Sequence, residues 1–301
     1  MFPRTAHFEC LAHLVSEDLR HWQDREPFIV PGLPGLPGVP ECPDYFVWND
    51  WRYLIFSNNG VARYGMSREP FGPWRRPEVD AFEGPAAFVM KTAPFRDNRR
   101  IGVAWIGARE NDKDDGPFLF GGNAVFRELV QRADGTLGTT FPAEMTPDGK
   151  TLSLPNPRAL DANAAIEGND VRIAARRGLA ACECSGVPRN ARVSLRVFPG
   201  PGASEFGLRL RSGSAFESGY DLRFLPRDRS VRLNRQQIGG VEGLDGPFAL
   251  EVILRDDIID ACIGGSRTLI DRCPEGRGDK ILLYAQDSAV AFRLLRIAAL
   301  P

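Results

Sequence analysis

The sequence predicts an all-β protein in two parts: repeated four-strand units, then a two-sheet sandwich. Composition is the first observation. Gly (31), Pro (24) and Phe (19) are plentiful, which suits short strands joined by tight turns. The second observation is a series of short apolar runs separated by turn signals through the first half. The third is an alternation of polar and apolar residues, with a period near two, through the second half.

In the first half, "YFVW" (45–48) and "RYLIFS" (52–57) flank the turn "NDW", a hairpin signal. "VARYGMS" (61–67) follows after "NNG", and "GPWRRPE" (72–78) reads as a fourth, edge strand. A second series repeats this order. "AAFVMKT" (86–92) leads through the turn "RDNRR" to "IGVAWIG" (101–107), then a charged loop, "NAVFREL" (123–129) and "DGTLGT" (134–139). Each unit spans about 40–60 residues with about four strands, as a β-propeller blade does. A plain antiparallel meander gives the same signals.

"FPAEMTPDGKTLSLPNPRALDANAAIEG" (141–168) breaks the rhythm with Pro, Asn and Ala and reads as an interdomain connection. The expected domains are therefore 1–145 and 165–301. Beyond the connection, "ARVSLRVF", "FGLRLRS", "YDLRFL", "SVRLNR", "FALEVIL", "IIDACIG", "KILLYAQ" and "AFRLLRI" each alternate between Gly, Asp and Pro turns. Strands with one buried and one wet face predict two packed sheets.

The net charge of −1 creates no field to attract nucleic acid or anionic lipid, so neither partner is expected. Six cysteines stand at 10, 42, 182, 184, 262 and 273. Cys182 and Cys184 in "ACECSG" share one face of a strand. Paired CxxC spacing is missing, and His7, His13 and His21 all lie near the start. Buried free thiols are expected ahead of a metal site or disulfides. No GxGxxG, P-loop, GxSxG or HExxH occurs, so no metal or organic cofactor is expected. "MFPRTAHFECLAHLV" lacks the layout of a secretion signal and no long apolar run follows, so the chain as written is expected in the cytoplasm.

"HLVSEDLRHWQ", "ECPD", "RRIGVAWIG", "VFRELVQRADGTLGTTFPAEM" and "IIDACIGGSRTLIDRCPEGRGDKILLYAQD", in that order, resemble glycoside hydrolase family 32, the β-fructosidases. "HLVSEDLRHWQ" (13–23) is similar to the family's S-x-D-L-x-x-W segment, and "ECPD" (41–44) matches the motif that carries its general acid/base. "RRIGVAWIG" (99–107) and "VFRELVQRADGTLGTTFPAEM" (125–145) are similar to the following blade and the exit to the sandwich. "IIDACIGGSRTLIDRCPEGRGDKILLYAQD" (258–287) is similar to the final hairpins. "ECPD" alone is weakly specific; the ordered set covers essentially the whole chain. The resemblance implies a partial five-bladed β-propeller, its C-terminal blades only, followed by a β-sandwich. It also implies a carbohydrate substrate, a β-fructofuranoside.

Enzymes of the family carry a nucleophilic Asp in an N-D-P-N-G motif and a stabilising Asp in R-D-P, both ahead of the acid/base. Neither motif precedes Glu41, which only 40 residues precede. The resemblance thus implies an N-terminally truncated chain, little or no hydrolysis by this polypeptide alone, and self-association through an exposed blade edge. A fragment or a non-catalytic carbohydrate-binding protein is the alternative. Asp97 in "FRDN" follows the motif and reads as a solvated turn, not a substitute nucleophile.

By resemblance Glu41 is the general acid/base, and Asp44 a supporting, sugar-contacting group. The bland alternative makes Glu41 a rim residue and Asp44 a turn former. A proton donor at neutral pH needs partial burial or a nearby like charge, and Tyr45, Phe46 and Trp48 are the expected walls. Arg63 and Arg127 are candidates to line the pocket and bind sugar hydroxyls, with Glu128 alongside; arginines on strands also form ion pairs between blades. Trp22, Trp48, Trp51, Trp74 and Trp105 are candidate stacking platforms or packing residues.

Overall fold

A computed structural model describes residues 11–29, 40–145, 150–152, 156–213 and 216–301. His7 and Cys10 lie outside them. The regular structure is β-strand apart from single 3₁₀ turns at Glu110–Asp112, Ala143–Met145 and Pro226–Asp228. Among the described residues no helix is long and apolar enough to cross a membrane.

Strands β1 (Leu11–Val15) and β2 (Gln23–Ile29) form a hairpin. Strands β3 (Pro40–Trp48), β4 (Trp51–Asn58) and β5 (Val61–Ser67) form a three-stranded antiparallel sheet in that order. Trp51 opens β4, so the first turn is Asn49–Asp50; the second is Asn59–Gly60, both residues at positive φ as a tight hairpin requires. The expected fourth strand at 72–78 does not form. Pro73 and Pro77 lack the N–H a ladder needs, and this region meets β5 only through the isolated bridges Met66–Arg75 and Arg63–Ala81.

Strands β6 (Phe88–Phe95), β7 (Arg99–Arg109), β8 (Phe118–Gln131) and β9 (Leu137–Thr140) form a four-stranded sheet in sequence order. Tyr53, Tyr64, Phe82, Met90, Ile106 and Leu129 fill the space between the three- and four-stranded sheets. Each such fully buried side chain contributes about 1.5–3 kcal/mol.

The remaining strands belong to two large sheets. The first of them are β10 (Lys150–Leu152), β11 (Arg158–Ala159), β12 (Ala164–Glu167), β13 (Asp170–Ala174) and β14 (Leu179–Ser185). Next come β15 (Ala191–Pro199), β16 (Glu205–Ser212), β17 (Tyr220–Leu225), β18 (Ser230–Leu233) and β19 (Gln236–Ile238). The chain ends with β20 (Phe248–Arg255), β21 (Ile258–Ile263), β22 (Arg267–Arg272), β23 (Lys280–Gln286) and β24 (Ala289–Ala299). One sheet runs β12-β13-β24-β15-β20-β21-β22, with β10 also on β24; the other runs β11-β14-β23-β16-β17-β18-β19. Val193, Leu250, Val252 and Ile297 of the first share one continuous core with Phe206, Leu208, Phe224 and Leu283 of the second.

Parts of the expected connection are therefore built into the large sheets: β10, β11 and β12 pair with β24, β14 and β13. Two of these, β11 and β12, end their sheets, where an extra strand covers a row of open backbone groups. Four of the five described cysteines, Cys182, Cys184, Cys262 and Cys273, are buried free thiols; Cys42 is free but exposed.

The four-stranded sheet is fastened to the eight-stranded one through polar contacts, some of them buried. Thr139 N–H donates to Ser266 O at 3.0 Å, and the Thr139 and Thr268 hydroxyls lie 2.5 Å apart. Arg272 donates to Gly107 O at 2.7 Å and to Asn123 Oδ1 at 2.6 Å. Gly138 permits the approach, since a Cβ there would stand 2.2 Å from Ser266 O.

Candidate functional site

Glu41 stands at the head of β3, opposite Ser57 on β4. The next paired position is Asp44 with Ile55, so Cys42 and Pro43 together face the single residue Phe56. This two-against-one spacing is a β-bulge, and Cys42 takes φ +52 to make it. Lys91 Nζ clamps the bulge by donating to both Cys42 O and Pro43 O at 2.7 Å.

The same construction recurs on β6. Phe88 pairs with Trp105 and Lys91 with Val103, leaving Val89 and Met90 opposite Ala104, with Val89 at φ +54. Phe88 on β6 thus holds the place that Glu41 holds on β3. The tip of the β4–β5 hairpin joins the two: a Cβ on Gly60 (φ +77) would come within 2.8 Å of the Phe88 ring.

Phe88 begins an aromatic group. Its ring stacks on Trp105 at 4.9 Å and lies 5.1 Å from Phe118; Phe120 meets Trp105 at 6.0 Å and Phe118 at 5.2 Å. Phe120 is 88% exposed, on a stretch of β8 where the register with β7 shifts. Gly107 makes room for Phe118, whose ring a Cβ would strike at 2.1 Å. An exposed carboxylate and an exposed aromatic surface therefore occupy equivalent strand heads of adjacent sheets. Of this group only Trp105 was among the sequence candidates. "GPFLFGG" gave a signal for the others: two phenylalanines at i and i+2 share a strand face, and the glycines after them favour an irregular backbone.

The Glu41 carboxylate is exposed, not partly enclosed. Alternation puts Glu41 and Asp44 on the face of the sheet shared by Ser57, Ile55, Ala62 and Tyr64, which looks toward β6. Asp44 is half-buried there. Its Oδ2 accepts the Thr92 N–H at 2.8 Å and the Thr92 hydroxyl at 2.6 Å. The hydroxyl in turn accepts Arg100 Nε–H at 2.7 Å, and the Arg100 guanidinium lies 3.5 Å over the Phe46 ring. Burial draws the Arg100 pKa down, opposed by the Asp44 charge. In this position Asp44 ties β3 to β6.

The expected aromatic walls are elsewhere. Phe46 is buried against Tyr53, and Tyr45 points to the other face against Phe71 and Trp74. Trp48 donates Nε1–H to Asn98 O at 3.0 Å. Trp51 lies under the Arg68 guanidinium at 3.9 Å, and Trp22 is half-exposed near β2.

Arg63 pairs with Phe56, so its side chain leaves β5 on the face opposite Glu41. It donates to Asp80 at 2.6 Å and borders a cavity of about 360 Å³ shared with Gly239 and Arg267. Arg127 is 1% exposed and lines no open surface. Its Nε donates to Glu83 at 2.6 Å and its two Nη atoms donate to the two Asp260 oxygens at 2.8 Å. Burial opposes this charge, but Asp260 and Glu83 outweigh it and raise the Arg127 pKa. Glu128 is engaged by Arg99 at 2.8 Å. Asp97 sits in the β6–β7 turn at φ +59. The structure therefore brings Glu41 and Asp44 together and separates Arg63 and Arg127 from them. Among the described residues no group of three His, Cys, Asp or Glu side chains is arranged to hold a metal ion.

No family model matches this sequence, and no curated relative does. Solved structures do match. An exo-inulinase from Aspergillus awamori superposes with a TM-score of 0.68 at 12% identity, covering 96% of this chain and 62% of that one. A sucrose-6-phosphate hydrolase from Lactobacillus gasseri gives 0.60 at 13% identity, covering 97% and 60%. A glycoside hydrolase family 32 structure from Bifidobacterium adolescentis gives 0.56 at 16% identity, covering 92% and 44%. The chain thus spans 44–62% of these structures, and over nearly all of its own length it has the fold that they share.

Proposed function

We propose that this chain is the acid/base-bearing part of a glycoside hydrolase family 32-like protein acting on β-fructofuranosides. One observation carries the reading: in a fold shared with an inulinase, the "ECPD" glutamate stands exposed at a bulged strand head, in the sheet next to the one that carries an exposed aromatic group. In this reading β3–β9 belong to a partial five-bladed propeller in residues 1–145. The two large sheets form a sandwich in 165–301, and the open blade edge favours self-association.

Glu41 protonates the glycosidic oxygen as the bond breaks, and the exposed ring of Phe120, with Trp105, holds the sugar by its apolar face. Retaining hydrolysis also needs a second carboxyl group about 5–5.5 Å from the first, to attack the anomeric carbon. The cross-strand neighbours of Glu41, Ser57 and then Ala62, carry no carboxyl group, and Asp44 on the same face is committed to Thr92 through its Oδ2. A lone general acid supplies about 10²–10⁴-fold, far short of a glycosidase. The polypeptide alone is therefore expected to bind fructosides and to release little or no fructose.

Incubation of the purified chain with sucrose, inulin and levan tests the inactivity; fructose release at an enzyme-like rate overturns it. Saturation-transfer NMR with levan oligosaccharides tests the site. Binding that Trp105→Ala weakens supports it, and no binding refutes it. A non-catalytic carbohydrate-binding role is the second reading, favoured by the 88% exposure of Phe120. It predicts that Glu41→Gln leaves binding unchanged, whereas a proton donor touching the glycosidic oxygen alters it.

A further inference from the structure

Arg211 lies on β16 at the point where the pairing with β23 shifts, and its backbone takes φ +54. The residue is 4% exposed. Among the described residues its guanidinium reaches only two backbone carbonyls, Cys273 O and Ile258 O, each at 3.3 Å, and its Nε is buried without a hydrogen-bond partner. Among the described residues no carboxylate pairs with it. A buried cation in this state is costly until an anion or further acceptors complete it.

The guanidinium borders a pocket of about 90 Å³, which Arg189 and Arg277 also line. Neither of these has an ion-pair partner among the described residues. Lys280 lines the pocket as well, but Glu183 holds it at 3.0 Å. The one carboxylate on the lining, Asp279, accepts the Gly186 N–H at 3.2 Å. Burial draws the Arg211 pKa down and the like charge of Arg189 adds to that pull, while Cys273, Tyr220 and Asp257 oppose it. Arg211, Arg189 and Arg277 thus line one small space whose own lining carries a single carboxylate.

We propose that this pocket binds a tetrahedral oxyanion, either inorganic phosphate or the phosphoryl group of a small phosphorylated metabolite. Arg211 supplies the buried fork, and Arg189 and Arg277 close over the anion from the rim. Planar guanidinium forks match phosphoryl oxygens two at a time, which a point charge does not. A neighbouring cavity of about 480 Å³ shares Arg211, Gly276 and Arg277 and has room for the rest of an esterified ligand; its two carboxylates, Asp114 and Glu275, accept from Tyr220 and Lys113.

Isothermal titration of the full chain with inorganic phosphate, and separately with a hexose monophosphate, tests the site at fixed ionic strength with chloride as the reference anion. Saturable binding is expected, weakened by about tenfold or more in the Arg189→Gln/Arg277→Gln double variant, whose changed side chains are exposed and leave the core intact. Arg211→Lys, which keeps the charge and loses the fork, is expected to weaken it as well. Tighter binding of the hexose monophosphate identifies the ester as the source of the anion; equal or tighter binding of phosphate identifies the free ion. No saturable binding by either, or an affinity unchanged in the double variant, overturns the proposal.

Discussion

Glu41 and Arg127 are both charged residues on strands of the first half, and the fold treats them in opposite ways. Arg127 is sealed between the four- and eight-stranded sheets with every strong donor direction answered by Glu83 and Asp260. Glu41 is exposed, and no hydrogen bond or ion pair engages its carboxylate among the described residues. The contrast separates a charge that the fold buries and pairs from one that it leaves exposed. A buried ion must be fully paired to persist, while a group that is to meet a substrate must keep its lone pairs free.

The largest test of this contrast is Arg127→Met. Removing the guanidinium leaves Glu83 and Asp260 buried without their cation, and a loss of about 3–5 kcal/mol is expected in urea unfolding. Adding Glu83→Gln and Asp260→Asn should recover part of that loss, because the stranded charges go with the partner. A single variant as stable as the parent would remove Arg127 from any structural role and return it to the candidates for sugar binding.

Asp44 is the intermediate case. It stands three residues from Glu41, yet its Oδ2 is committed to the Thr92 amide and hydroxyl. Asp44→Ala should therefore destabilise by about 1–3 kcal/mol, measured by chemical denaturation, since it leaves a part-buried N–H unanswered. If stability is unchanged while fructoside binding falls, Asp44 acts on the sugar instead of on β6.

These cases show what the sequence could and could not convey. The strands after residue 168 were legible because alternation in segments such as "FALEVIL" and "YDLRFL" is a local property, written by one buried and one wet face. "ECPD" was legible as a motif, and its bulge puts an exposed carboxylate at a strand head. The role of Arg127 was not legible. Its partners lie 44 and 133 residues away, and nothing in "VFREL" distinguishes an arginine that faces a sugar from one that faces Asp260. The failed strand at 72–78 was legible in hindsight from its two prolines. The place of Phe118 and Phe120 was not, since it depends on a register shift that only pairing with β7 reveals.

Phe120→Ala sharpens the comparison from the ligand's side. A ring 88% exposed contributes little to folding, so stability should stay within about 0.5 kcal/mol. Binding of levan oligosaccharides should weaken severalfold. A stability loss near that of Asp44→Ala would show that the ring packs in solution and is not offered to a sugar.

The smallest expected effect is the most discriminating. Glu41→Gln keeps size and shape and removes only charge and acidity, so an exposed, unpaired carboxylate should be replaceable at a cost within about 0.5 kcal/mol. Thermal unfolding of the pair checks this. Near-equal stability, set against the large loss in Arg127→Met, supports two kinds of charge in one domain: one that the fold depends on and one that it only presents. A marked loss in Glu41→Gln would mean that the carboxylate is already engaged by protein groups, and its availability as a proton donor would fall with it.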